Sequence, residues 1–348
     1  MTSPREARPP GWQTFTVELD QHSGVATVTM HGTGSGNAMG GLLWSELPAM
    51  VAALDADSRV NAAVLRGAGD CFTVGLDLRW YLPRYRRTVR PGAGLPQVRA
   101  GLLADATTMQ AAITAVADSR LPVIAAIHGS CVGAGLDLIS ACDIRIASAD
   151  AFFSLREVRI GVVADLGSLQ RLPRIIGAGH TRELALTGRD LPAIEAHQLG
   201  LVTRVPPTSQ ALFVEADRLA RQIAAHPPAV IAGIKRVLDE SLDLPLSTGL
   251  RHVALWNAAF LPSPDLPDLL AQALRNDPPP SQAGERQPRT QTQENRTTAH
   301  VHRPGHPPAP GQDLPETPRG QTDRSVDQDL HRDETRTQYQ ELQRDTAP

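Results

Sequence analysis

The sequence is short of the features that mark several large functional classes. Its 348 residues include only three cysteines, Cys71, Cys131 and Cys142. They are odd in number and lie in apolar or glycine-rich stretches. They show neither a metal-ligand spacing nor a disulfide framework, so they read as reduced core thiols. No apolar run reaches the roughly 20 residues that a membrane-spanning helix needs. Met1–Gly11 has no apolar h-region, which argues against a secretory signal and makes a cytoplasmic protein the expectation. The formal net charge is only -3, so no general electrostatic pull toward nucleic acid or a membrane surface is expected. A phosphate loop, a dinucleotide-type glycine fingerprint, a Gly-x-Ser-x-Gly elbow, an internal repeat and a metal-spaced His/Cys/Asp/Glu cluster are all missing.

What is present is ordinary for a soluble protein. Hydrophobic residues make up 41% and charged residues 20%, and the length allows a substantial core. Composition changes near Asp277. From there to Pro348 the chain is rich in Pro, Gln, Arg, Thr, Asp and Glu, and its large apolar residues are scattered. Such a segment buries too little surface to offset its ordering entropy, so 277–348 is expected to be a disordered tail, with at most a weak helix over Asp327–Arg344. The folded part is expected over 12–276.

Within it, period-2 and period-3.6 patterns alternate. Strands are expected at Phe15–Leu19, Val25–Met30, Ala62–Arg66, Pro122–Ile127 and Ile144–Ala147. Helices are expected at Leu42–Leu54, Ala104–Ala117 and Leu136–Ala141. After Gly179 the pattern turns helical: His180–Thr187, Ala193–Leu199, Gln210–Ala225, Ala229–Leu238 and Thr248–Phe260. The expectation is an α/β core over 12–205, followed by a helical region over 206–276.

Two glycine-containing turns stand out. One is Gly67-Ala68-Gly69-Asp70-Cys71-Phe72-Thr73-Val74-Gly75-Leu76-Asp77-Leu78. The other is His128-Gly129-Ser130-Cys131-Val132-Gly133-Ala134-Gly135-Leu136-Asp137. Glycine permits conformations that turn backbone N–H groups outward, and a helix starting there adds unpaired donors. Such turns bind phosphate or stabilise an oxyanion, and each alone is equally well a simple tight turn.

Together the turns resemble those of the crotonase (enoyl-CoA hydratase/isomerase) superfamily, whose first turn reads Gly-x-Gly-x-x-Phe-x-x-Gly-x-Asp-Leu. The runs Pro122–Gly129 and Ala141–Ala147 resemble that family's core as well, and the likeness extends from about Phe15 to Arg275. The resemblance implies a ββα spiral core with helical C-terminal trimerisation elements. It implies an oxyanion hole made by the N–H groups of Leu76 and Ala134, with Ala38, Gly75 and Gly133 near the substrate. The substrate would be an acyl-CoA thioester and the assembly a homotrimer or homohexamer. No separate cofactor or metal is implied, because coenzyme A is part of the substrate. Where relatives carry Asn-Arg-Pro-Glu-Lys/Arg before Asn37-Ala38-Met39, this chain has His31-Gly32-Thr33-Gly34-Ser35-Gly36 and loses the basic group. Lys235, and the basic run Arg79, Arg84, Arg86, Arg87 and Arg90, are the cations left as candidates for CoA phosphates. The basic run is otherwise read as a solvated loop.

Three acids separate the subfamilies. Asp137 follows Gly135 by two residues, Glu157 lies in Arg156-Glu157-Val158, and Asp165 lies in Ala164-Asp165-Leu166-Gly167-Ser168-Leu169-Gln170-Arg171-Leu172-Pro173. Enoyl-CoA hydratases carry glutamates at the first two positions and a small residue at the third. The delta(3,5)-delta(2,4)-dienoyl-CoA isomerases resemble this chain at all three. The resemblance implies proton transfer between C2 and C6 of a dienoyl-CoA in fatty acid β-oxidation, with one acid at each end. Plainer roles are also open. Asp137 could interact with a helix dipole, Glu157 could pair with Arg156 or Arg159, and Asp165 could cap a helix at Leu166–Leu172. Asp77, Asp143 and His128 read as structural. The competing readings are an enoyl-CoA hydratase or another crotonase-type acyl-CoA enzyme, and a catalytically silent scaffold of the same fold.

Overall fold

The computed structural model describes residues 11–34, 36–260 and 266–276. The expected disordered tail, with its weak helix, lies outside the described residues. The chain opens with strands β1 (Phe15–Asp20) and β2 (Val25–Met30), helix α1 (Leu43–Ala56), strand β3 (Ala62–Gly67), and helices α2 (Leu78–Thr88) and α3 (Leu95–Asp118). Next come β4 (Val123–Ile127), β5 (Ser130–Val132), α4 (Ala134–Ser140), β6 (Ile144–Ala147), β7 (Phe152–Ser154) and a 3-10 turn at Arg156–Ile160. Helices α5 (Ser168–Ile175) and α6 (Gly177–Thr187) lead to the short strand β8 (Leu191–Pro192) and helix α7 (Ala193–Gln198). The rest is helical: α8 (Ser209–Ala224), α9 (Pro228–Ser241), α10 (Leu246–Phe260) and α11 (Leu266–Asn276).

Five strands form the main sheet in the order β1-β2-β3-β4-β6. β1 pairs antiparallel with β2, and every other pairing in it is parallel. Parallel strands need covering elements on both faces, so their residues are apolar almost without a break. Alternate residues of β3 and β4 serve opposite faces. Ala63, Leu65, Val123, Ala125 and Ile127 join a large core with Leu43, Leu47 and Met50 of α1 and Met109, Ile113 and Val116 of α3. Ala62, Val64, Ile124 and Ala126 join a second core with Leu212, Ala216, Ala220 and Ala224. Those four residues recur every four positions on α8 and give it a face of mostly small side chains that lies close on the sheet. The segment assigned from sequence to the helical C-terminal region thus begins by covering the second face of the α/β sheet.

A smaller sheet, β5-β7-β8, lies beyond the end of β4. Its strands are two or three residues long, too short to show a period. Helix α3 begins nine residues earlier than its apolar pattern suggests. Its first turns are mostly exposed and carry no inward stripe. The basic run is a correction as well. Arg79, Arg84, Arg86 and Arg87 lie on helix α2, not in a loop. Asp77 starts that helix by accepting the N–H groups of Arg79 and Trp80 at 3.0 and 3.1 Å. Arg84 Nε donates to Asp105 of α3 at 2.8 Å.

Lys235 is the second correction. Its ammonium group donates to the Asp143 carboxylate at 2.9 Å and to the Leu121 carbonyl at 3.1 Å. Its side chain is 9% exposed, so it joins α9 to the start of β4 and is mostly taken up in that structural contact. Asp143 also accepts the Val123 N–H at 2.7 Å. Replacing Lys235 by Met should therefore destabilise the fold by about 1–3 kcal/mol, because it leaves Asp143 without its cation. Affinity for coenzyme A, measured by calorimetry, should stay within about twofold of the parent. A large loss of affinity with unchanged stability would restore Lys235 to the binding site.

Candidate active site

The two glycine turns meet because they are hydrogen-bonded to each other. Phe72 N–H donates to His128 O at 2.7 Å, Thr73 N–H to Ser130 O at 2.9 Å, and Val132 N–H to Thr73 O at 3.1 Å. Met39 then fixes the direction of the first turn. Its N–H donates to Gly75 O at 2.7 Å, and its carbonyl accepts the Asp77 N–H at 2.9 Å. In a trans peptide the N–H points opposite to the preceding carbonyl, so the Leu76 N–H faces away from Met39. On the other turn, Ala134 is the first residue of α4, where an N–H has no acceptor in its own helix. Among the described residues neither the Leu76 nor the Ala134 N–H finds a partner.

Glycine is required where the turns touch. Gly75 has φ +92°, and a Cβ on it would lie 2.5 Å from Val132 O and 3.4 Å from Ala134 N. Gly133 has φ +53°, and a Cβ there would lie 3.1 Å from Glu157 Oε1. These two glycines bring the free N–H groups side by side and place a carboxylate against them. Two such donors contribute roughly 3–4 kcal/mol each when negative charge develops on an oxygen between them.

Three acids gather around this point. Asp137 is on the first turn of α4 and 1% exposed. Its Oδ1 accepts the Ser168 N–H at 2.6 Å, so it serves the start of α5. Burial raises its pKa to about 6, assisted by the charge of Asp165 and opposed by the Ser168 hydrogen bond. Glu157 sits on the 3-10 turn, and burial first, then the charges of Asp137 and Asp165, raise it to about 7. Its Oε2 is buried without a hydrogen-bond partner. The neighbouring arginines are engaged elsewhere: Arg156 and Arg159 both reach Asp190, at 2.9 and 3.9 Å. The surface-pairing reading of Glu157 therefore fails. Asp165 lies in the loop before α5 and is exposed to solvent, although surrounding protein still raises its carboxyl above the ordinary value. It does not cap a helix, because α5 begins at Ser168 after Gly167.

The structure thus brings Leu76, Ala134, Gly75, Gly133, Asp137, Glu157 and Asp165 into one neighbourhood. Ala38 is half-buried, with its N–H and carbonyl bonded to Thr33 at 3.1 and 2.9 Å, which makes a closed turn of the glycine-rich loop. His128 is packed, as expected, with Nε2 3.0 Å from Gly69 O and its ring edge-on to Phe213. Sequence reasoning missed the bond from Ser168 to Asp137. The spacing of the two residues gives no sign of it, and only the fold brings them together.

The raised pKa of Glu157 has a consequence for stability. The folded chain holds the Glu157 proton more tightly than the unfolded chain, so stability present below about pH 4.5 is lost as pH rises through about 7. Glu157→Gln cannot ionise. The Tm of this variant relative to the parent should therefore rise between pH 4 and pH 8. A variant that falls behind the parent over that range would mean the carboxylate is stabilised, not strained, in its site.

Known proteins place this site in context. The enoyl-CoA hydratase/isomerase family model matches residues 20–255, more than half of the chain. The Arabidopsis thaliana peroxisomal delta(3,5)-delta(2,4)-dienoyl-CoA isomerase is 42% identical over 243 residues, which are 70% of this chain and 87% of that protein. The Homo sapiens mitochondrial dienoyl-CoA isomerase is 37% identical over 232 residues, 66% of this chain and 70% of that one. The crystal structure of enoyl-CoA hydratase from Bacillus anthracis superposes with a TM-score of 0.66 at 29% identity, covering 76% of this chain and 96% of that one. With its paired glycine turns, its two unpartnered N–H groups and a match over most of the described residues, the chain belongs to the enoyl-CoA hydratase/isomerase (crotonase) family.

Proposed function

We propose that the protein converts 3,5-dienoyl-CoA into 2,4-dienoyl-CoA, a double-bond shift in fatty acid β-oxidation. The observation that carries this reading is the placement of three carboxylates, not two, around a pair of free N–H groups, with Glu157 against the Gly133 turn. The similarity to enzymes named dienoyl-CoA isomerase supports it.

The chemistry follows from these groups. The thioester oxygen rests between the Leu76 and Ala134 N–H groups. Glu157 takes the proton from C2, electrons shift along the conjugated chain, and negative charge collects on that oxygen. Asp165 delivers a proton to C6 as the dienolate collapses. The C2–C3 and C4–C5 bonds become double, one proton leaves and one arrives, and no cofactor beyond the CoA of the substrate takes part. A pKa near 7 suits a group that must both take and release a proton at neutral pH. The charge of Asp137 raises the pKa of Glu157 and so makes it a stronger base, while the Ser168 bond holds Asp137 in place. The Leu76 and Ala134 donors act on charge that appears only during reaction, so they favour the transition state over the bound substrate.

Assembly is part of this reading. Helices α9 and α10 leave Val230, Ile234, Leu238, Leu250, Leu255 and Phe260 exposed on the single chain. An apolar surface of this kind supports a trimer or a pair of trimers. The cytoplasmic location expected from the sequence remains a proposal beside relatives named as peroxisomal or mitochondrial. Among the described residues no helix is long and apolar enough to cross a membrane.

Three measurements test the proposal. Asp165→Asn should lower turnover of 3,5-dienoyl-CoA by about 10²–10⁴-fold, followed by ultraviolet absorbance, with little change in Tm. The parent should hydrate 2-enoyl-CoA poorly. Full isomerase activity in Asp165→Asn would sink the role of that residue, and fast hydration with no isomerisation would move the protein to the hydratases. In light scattering at micromolar concentration the protein should have the mass of a trimer or hexamer; a monomer alone would overturn the assembly.

A further inference from the structure

Asp165 has a demanding position for an acid. It is exposed, it lies in a loop between the 3-10 turn and α5, and among the described residues its side chain has no hydrogen bond to another residue, only one to its own backbone N–H. Its place must come from its backbone. Three backbone groups between Asp165 and Ser168 are each tied to a different neighbour. The Asp165 carbonyl accepts from Gln110 Nε2 at 2.6 Å. The Leu166 carbonyl lies 3.5 Å from Arg171 Nη1, and Arg171 Nη2 lies 3.3 Å from Thr114 Oγ1 of α3. The Ser168 N–H donates to Asp137 at 2.6 Å. Gly167 lets the arginine lie across the loop, since a Cβ there would come within 2.0 Å of Arg171 Nη1.

Of these ties the one from Gln110 is the shortest to Asp165 itself, and it starts from a firm base. Gln110 is on α3 beside Met109, and Met109, Ile113 and Val116 are packed in the main core. The amide therefore measures the distance from the core to the acid. The two longer Arg171 contacts are at or beyond the usual hydrogen-bond range and can only assist.

We propose that Gln110 is a positioning residue for Asp165: it clamps the 162–167 loop to α3, so that the carboxyl is presented to the far end of a conjugated acyl chain. This deepens the isomerase reading and rests on it. An acid displaced by about 1 Å loses much of its effect, which sets the expected size of the loss. Gln110 touches no reacting atom. Removing it should harm the step that Asp165 serves and spare the one that Glu157 serves.

The test uses the full-length protein and two variants, Gln110→Ala and Gln110→Met, the second keeping the length without the donor. Hydrogen–deuterium exchange of the peptide covering residues 161–170 should be faster in both. Turnover of 3,5-dienoyl-CoA should fall by about tenfold to a hundredfold, with KM within about twofold. In deuterated water, label should enter C6 more slowly while its entry at C2 keeps the parent rate. Unchanged exchange of the 161–170 peptide overturns the clamp, and equal slowing at C2 and C6 overturns the positioning role. A parent protein that turns over no dienoyl-CoA counts against the isomerase reading instead, and loop exchange then decides the clamp alone.

Discussion

The short ladder between Thr73 and the Ser130–Val132 strand is the contact on which the site depends. It joins two turns that are about sixty residues apart in sequence, and it does so through backbone atoms that any residue would provide. Everything distinctive then follows from what the ladder brings close: a glycine against a carbonyl, a helix start against a loop, and a carboxylate against both. Because the contact is made by main chain, side chains around it are free to vary with the chemistry. The same frame can therefore carry different sets of acids, and the acids, not the frame, separate the activities within the family.

The three carboxylates are held together against their mutual repulsion. No cation forms an ion pair with Asp137 or Glu157 among the described residues, and burial rather than charge is the first cause of each shift. Folding supplies the energy that keeps them there, through the two large cores on either face of the sheet. A site of this kind is strained in the electrostatic sense: it would be more stable with fewer acids and would then lose the proton carriers.

Much of this was legible in the residues. Pro122–Ile127 read as an apolar strand, and the structure places β4 there with both faces covered. The glycines at 75 and 133, together with the acids at 137, 157 and 165, formed a pattern that named the family. The short strands β5, β7 and β8 were not legible, since two or three residues carry no period. Helix α2 was hidden by Pro83 and by its many arginines, although Asp77 was in the right place to cap it. Lys235 looked like a ligand for phosphate because its partner, Asp143, lies ninety-two residues away in sequence. The ties of Ser168 to Asp137 and of Gln110 to Asp165 are likewise contacts between distant segments, which composition and spacing do not encode.

Asp190 shows how far the electrostatic reach of the site extends. It lies just before β8, on the surface, and takes up the two guanidinium groups that flank Glu157 in sequence. Were those groups free to turn inward, a positive charge beside Glu157 would favour its ionised form and draw its pKa back toward that of an ordinary glutamate. The carboxylate at 190 thus holds both cations at the surface, on a residue that need never meet a substrate.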